Sequence, residues 1–190
     1  MAHISTISAT MFSDLSFGLT ATAPSTYDAA GFAVLFGTKT DAADATPVSG
    51  EFVRVQNVRE FPAMGTPPNI VNVPTYGQKT SQQIQGQADA PTMEITINYI
   101  AADWDKTVGL GKFVGDGVKR AFRFSLLNAD PGSAATWASS AVGYGNKEHT
   151  VFYWLGKIEA MVVNPQLTDA TTATLTLSVQ SDFYGAFTHA

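Results

Sequence analysis

The chain has 190 residues, of which 14% are charged and 45% apolar, with a formal net charge of −5 and no cysteine. The missing cysteine removes thiolate metal sites, thiol catalysis and redox switching, and so acidic a chain is ill suited to neutralising phosphates, which excludes ordinary nucleic-acid binding. A domain of this length buries enough surface to fold without disulfides. Thr, Ala, Ser, Gly and Gln stand where charge is usual, a pale surface expected either where copies of the chain cover one another or on a secreted Ser/Thr-rich domain.

In chain order, the first patterned segment is 31–37, where Phe32, Val34 and Phe36 alternate and predict a short strand. Residues 51–59 predict another. The following segment, 61–91, holds Pro62, Pro67, Pro68, Pro74 and Pro91 among several Gly and Gln residues. Connections longer than about 12 to 15 residues are usually functional or disordered. Phe61, Met64, Ile70, Val71, Val73 and Tyr76 are apolar groups that a disordered linker lacks, and prolines hold such a chain extended. The segment is therefore expected to be an arm reaching to a partner, with a loop folded back over its own core as the alternative.

Residues 92–100 predict a half-buried strand: Met93, Ile95, Ile97 and Tyr99 point one way, and Thr92, Glu94, Thr96 and Asn98 the other. A helix shortened by Gly109 and Gly111 is expected over 101–113, capped by Asp103, with Trp104, Val108 and Phe113 near one face. Strands are expected over 119–127 (Phe122, Phe124, Leu126) and 151–163, separated by an insertion over 129–150 that carries Trp137 and Tyr144. Near the C-terminus Ala173, Leu175, Leu177 and Val179 alternate with Thr172, Thr174, Thr176, Ser178 and Gln180. Turn residues at Asn164–Pro165 and Thr168–Asp169 make these last two strands an antiparallel hairpin. The sum is a mainly β chain, a sandwich or barrel with one short flanking helix and long loop insertions, in a single domain over 1–190.

The inventory for chemistry is empty. His3 and His189 lie near the termini, and His149 has no Gly-x-Ser-x-Gly element beside it. The glycines from Gly109 to Gly117 fail as a phosphate loop, because Lys112 is followed by Phe113 rather than Ser or Thr. Asp103 with Asp105, and Asp41 with Asp44, are read as solvated surface or caps. Lys119, Arg120 and Arg123 are read as salt-bridge donors to neighbouring acids or to another subunit. No enzyme activity, cofactor or metal is expected. No apolar run reaches the roughly 20 residues that span a bilayer, and residues 1–10 lack a signal peptide's basic start and apolar core, so synthesis in the cytosol without a membrane partner is expected.

Two stretches carry a resemblance. Val73-Pro-Thr-Tyr-Gly-Gln-Lys-Thr-Ser-Gln-Gln-Ile-Gln-Gly-Gln-Ala-Asp89, running on through Ala-Pro-Thr-Met-Glu-Ile-Thr-Ile-Asn-Tyr-Ile-Ala-Ala-Asp-Trp104, resembles the tail tube (major tail) proteins of long non-contractile-tailed bacteriophages, the siphophage tail tube family. So does Gly115-Asp-Gly followed by Arg120-Ala-Phe-Arg-Phe-Ser-Leu-Leu-Asn128. The resemblance covers most of 51–186. It implies a structural virion protein with a β-sandwich or barrel-like tail tube fold, whose inner sheets join around hexameric rings that stack into a hollow tube for genome ejection. It further implies assembly in the bacterial host cytoplasm, tail initiator and terminator partners, a tape measure protein in the lumen, and passage of double-stranded DNA without tight binding.

On that resemblance 61–91 becomes a stacking loop, with Phe61, Met64, Ile70, Val71, Val73 and Tyr76 at inter-subunit contacts. Residues 1–13 and 182–190 become assembly arms. Glu94, Thr96, Asn98, Thr174, Thr176 and Ser178 become the lumen candidates, since a polar and acidic wall does not trap phosphates. Two other readings stand beside it. The inner tube of a contractile injection machine uses a related fold, and a secreted carbohydrate-binding β-sandwich would use Trp104, Trp137 and Trp154.

Overall fold

The structure, a computed structural model, describes residues 13–37, 41–42, 52–65, 70–86, 91–126 and 150–185. Its described residues form β1 (Asp14–Gly18), α1 (Ala29–Gly37), β2 (Asp41–Ala42), β3 (Phe52–Arg54), β4 (Val58–Glu60), β5 (Ile70–Val73), β6 (Gln82–Gln85), β7 (Thr92–Asn98), β8 (Arg120–Leu126), β9 (Thr150–Asn164) and β10 (Thr172–Val179). Eight strands make one sheet in the order β2-β3-β1-β8-β9-β10-β7-β4, and β5 and β6 form a separate two-stranded sheet. Every pairing is antiparallel except β2 with β3.

The sheet curls around its own apolar face. Leu15 and Phe17 of β1 belong to the same buried cluster as Ile95 and Ile97 of β7, although β1 and β7 are four places apart in the strand order. Phe122 and Trp154 stack at its centre, their ring centroids 5.4 Å apart, and Phe17 meets Phe113 edge to face at 5.5 Å. The inward-facing residues of β1, β3, β7, β8, β9 and β10 supply this core, because one face of each must leave water. The mainly β, barrel-like reading of the sequence holds.

On the opposite face, helix α1 covers the β8–β9 region. Phe32 and Phe36, one helical turn apart, bury against Ala121, Val151, Tyr153 and Leu155. Beside them lies a buried polar group. The Asp14 carboxylate accepts Arg54 Nε at 2.7 Å, Arg123 NH2 at 3.2 Å and Ser16 Oγ at 2.7 Å, and the Arg123 guanidinium lies 5.3 Å from the Phe36 and Phe52 ring centres. The period-two rule explains the placement, since Asp14 and Ser16 alternate with Leu15 and Phe17.

Three expectations need correction. Segment 31–37 is helix α1, not a strand: Phe32 and Phe36 read equally well at spacing two or four, and Asp28 decides by capping the Gly31 N–H with its Oδ1 at 2.7 Å. Val34, placed on the strand's apolar face by that reading, is exposed. Residues 101–113 are turns ending in a short 3-10 helix, Leu110–Phe113, so the flanking α-helix exists but at α1. There the Asp105 Oδ1 takes the N–H groups of Thr107 and Val108 at 2.6 and 2.9 Å, and these local bonds displace the helical pattern. Segment 51–59 is two strands, β3 and β4, divided near Asn57, whose φ of 59° turns the chain.

Candidate assembly surface

The long strands β9, β10 and β7 build a surface with two unlike faces. Met93, Ile95, Ile97, Ala173, Leu175, Leu177 and Val179 are buried in the core. On the other face the register sets Thr96 opposite Thr174, Glu94 opposite Thr176, Asn98 opposite Thr172 and Thr92 opposite Ser178. All six sequence candidates, Glu94, Thr96, Asn98, Thr174, Thr176 and Ser178, therefore lie on one polar face, each exposed or half-buried.

β9 extends this face. It pairs with β8 only as far as Gly156 but with β10 as far as Asn164, so its second half has β10 on one side and no β8 on the other. A register shift between Thr176 and Leu177 bulges β9 at Glu159, whose carboxylate accepts the Ser178 hydroxyl. The Gln180 Nε2 also donates to the Ser178 Oγ at 3.3 Å, and the Asn164 Nδ2 donates to the Thr174 Oγ1 at 3.4 Å. Ala160, opposite Thr176, and Val162, opposite Thr174, share the face, with Lys157 opposite Ser178. The result is a hydroxyl- and amide-rich wall with the carboxylates of Glu94 and Glu159 and the single ammonium of Lys157.

The second feature is the β5–β6 hairpin. Register pairs Val71 with Ile84 and Val73 with Gln82 on one side, and Ile70 with Gln85 and Asn72 with Gln83 on the other. All eight strand residues are exposed, and Tyr76 in the turn is fully exposed. The structure thus brings together Ile70, Val71, Val73 and Tyr76 from the sequence candidates. Phe61 and Met64 it places against the subunit's own core, with the Phe61 and Phe124 ring centroids 4.9 Å apart. Ile84 was missed because it stands alone among glutamines; only cross-strand register joins it to Val71.

Of the expected arms, residues 1–12 and 186–190 lie outside the described residues, as do the insertion over 129–149 and all three histidines. Residues 182–185 run back along β9: Tyr184 exchanges both backbone hydrogen bonds with Tyr153 at 2.8 Å and stacks on Phe32. Burial holds the Tyr184 hydroxyl above its ordinary pKa, with Asp182 adding to the effect.

Of the basic cluster, Arg120 and Arg123 are buried and Lys119 is exposed. Arg123 belongs to the Asp14 group, and Arg120 forks onto Asp116 at 2.9 and 2.5 Å while lying 4.7 Å from the Phe113 ring centre. Burial would raise the Asp116 pKa, but the Arg120 fork and the Val118 N–H outweigh it and hold the carboxyl below the ordinary range. Asp28 and Asp105 are also lowered, first by the backbone N–H groups of Gly31 and Val108 respectively. Among the described residues no group of three His, Cys, Asp or Glu side chains is arranged to hold a metal, and no helix is long and apolar enough to cross a membrane.

No family model matches the sequence, and no curated protein matches it. Among solved structures the chain is similar to the SPP1 tail tube, with a TM-score of 0.48 and 11% identity over 94% of this chain and 80% of that one.

Proposed function

We propose that this chain is a structural subunit that assembles into stacked rings forming a hollow phage tail tube. The observation that carries the reading is the β5–β6 hairpin. Its apolar side chains stay in water in the single subunit, with Val71 47% and Ile84 56% exposed, and a two-stranded sheet is marginal in water unless something covers it. Further copies of the chain are a cover of matching pale composition. The motif resemblance in 73–104 and 115–128 points the same way.

On this reading the polar face of β7, β10 and β9 lines the lumen. Hydroxyls, amides and carboxylates, with Lys157 the one ammonium among them, offer phosphates little cationic hold, so double-stranded DNA slides past. Hexameric rings, a lumenal tape measure, initiator and terminator partners, and a place in the virion after assembly in the host cytoplasm belong to the same proposal. The carbohydrate-binding alternative loses two of its three tryptophans, since Trp104 and Trp154 are 5% and 0% exposed and have no face to offer a sugar. The test is negative-stain electron microscopy of concentrated purified protein. Hollow rods with a regular ring repeat are expected; a monomer at every concentration overturns the reading.

A further inference from the structure

Asp116 and Gly117 form the one Asp-Gly step in the chain, which has no Asn-Gly step. A Cβ placed on Gly117 would meet no atom within 4 Å, so the turn is open to water there. The Asp116 side chain folds back over its own following peptide, because its Oδ1 accepts the Val118 N–H at 2.9 Å. We propose that Asp116–Gly117 is a latent isoaspartyl modification site, which the Arg120 guanidinium holds closed.

In the reaction the Gly117 nitrogen bonds to the Asp116 side-chain carboxyl carbon. One carboxyl oxygen leaves as water, taking the amide proton and the carboxyl's own proton, and a cyclic imide forms. Water then adds to an imide carbonyl. Opening at the side-chain carbonyl restores aspartate, whereas opening at the main-chain carbonyl passes the backbone through the side chain and leaves the carboxylate on Cα. The water lost is regained, and nothing is oxidised or reduced.

The leaving oxygen must be a hydroxyl, so the ionised carboxylate is inert. Arg120 keeps it ionised and pinned: NH1 donates to Oδ1 at 2.9 Å, NH2 donates to Oδ2 at 2.5 Å, and NH1 also donates to the Val118 carbonyl at 3.2 Å. The guanidinium is itself fixed, buried and 4.7 Å from the Phe113 ring centre. Burial opposes ionisation of Asp116, but the fork outweighs it.

Opening the site would reach the sheet. Arg120 begins β8 and pairs with Gly156, the last β9 residue that β8 covers. The Gly115 N–H bonds to the Ile158 carbonyl at 2.8 Å, so the same turn lies along β9 where β8 stops. An isoaspartyl link adds a backbone carbon between Gly115 and Gly117, whose φ values are 72° and 70°, and takes the carboxylate out of the fork. Buried Arg120 then loses its compensating charge. The reaction needs a single subunit, whether or not copies assemble.

The test uses the full-length protein, held folded for weeks at neutral pH and body temperature. Trypsin cuts after Lys112 and Lys119 and releases residues 113–119, in which Asp116 is the only acid; electron-transfer mass spectrometry distinguishes the two linkages. The free peptide 113–119 gives the unguarded rate. The folded protein should isomerise at least about tenfold more slowly, since each unit by which a pKa is lowered cuts the neutral carboxyl about tenfold. Arg120→Met, checked by circular dichroism, should rise towards the rate of the peptide. Asp116→Asn removes the charge without touching Arg120: an amide reacts without being protonated, losing ammonia in place of water, so this variant should lag its own free peptide far less than the unmodified protein lags its own. If Arg120→Met does not fold, the Asp116→Asn comparison decides. Equal lags for the unmodified protein and the folded variants overturn the guard and leave turn rigidity as the brake. A free peptide that forms no isoaspartate in the same period overturns the site itself.

Discussion

Asp14 of β1 and Arg123 of β8 meet at 3.2 Å with both side chains 1% exposed, although 109 positions separate them in the sequence. Arg54 adds a second guanidinium to the same carboxylate, at 2.7 Å. Removing one partner of a buried ion pair typically costs about 3–5 kcal/mol, because the other charge loses its compensation out of water. Asp14→Ala should therefore lower the unfolding free energy in urea by about that amount. A loss below about 1 kcal/mol would mean that Asp14 does not hold the β1–β8 junction.

The two faces of β7 predict opposite responses from adjacent residues. Ile95 is fully buried and Thr96 half-buried on the polar side. Ile95→Ala should cost about 2–5 kcal/mol through lost transfer energy and a cavity, whereas Thr96→Ala should change stability by less than about 1 kcal/mol. Equal effects in thermal denaturation would contradict this assignment of faces.

The Arg120–Asp116 pair makes stability depend on acid. Asp116 has its pKa lowered on folding, so its contribution is fully present above the pKa of the unfolded chain. It is lost as the pH falls through the still lower folded value, that is, below about pH 4. Asp116→Asn should lower the urea midpoint at pH 6, and the two curves should converge on acidification. A difference constant from pH 6 to pH 2 would place the pair's worth elsewhere than in its charge.

Because the hairpin buries none of its strand side chains, assembly rather than folding should depend on it. Val71→Asp with Ile84→Asp should leave the melting temperature within a degree or two, as exposed substitutions do, and abolish rods in negative stain. A deletion should spare Phe61 and Met64, which pack on the core; removing residues 66–90 behind a short linker is expected to yield folded monomers. Rods from either variant would deny the hairpin a role in stacking.

Glu94, exposed opposite Thr176, tests the lumen. Reversing its charge with Glu94→Lys adds an ammonium, beside Lys157, to every copy of the proposed lumen wall, and phosphates passing there would be held. Genome delivery in an infection assay should slow while tube morphology stays normal. Unchanged delivery would take this face out of the lumen.

The sequence by itself determined the strands whose alternation is strict. β7, β8 and β10 lie where the period-two pattern puts them, because a side-chain period of two has one solution when one face must be buried, and β9 lies where a run apolar on both faces marks a strand covered on both sides. Within β7 and within β10 it also determined which residues alternate onto the polar side, whereas the pairing that sets the two groups side by side is long-range. Helix or strand at 31–37 was not legible. Two phenylalanines at spacing four serve both periods, and the Asp28 cap and the layer of Ala121, Val151, Tyr153 and Leu155 beneath chose the helix. Long-range register decided the rest. Only the tertiary structure brings Asp14 to Arg123, sets Ile84 beside Val71, and leaves the second half of β9 without β8 on one edge, because pairing across a sheet depends on strand order, which no local pattern encodes.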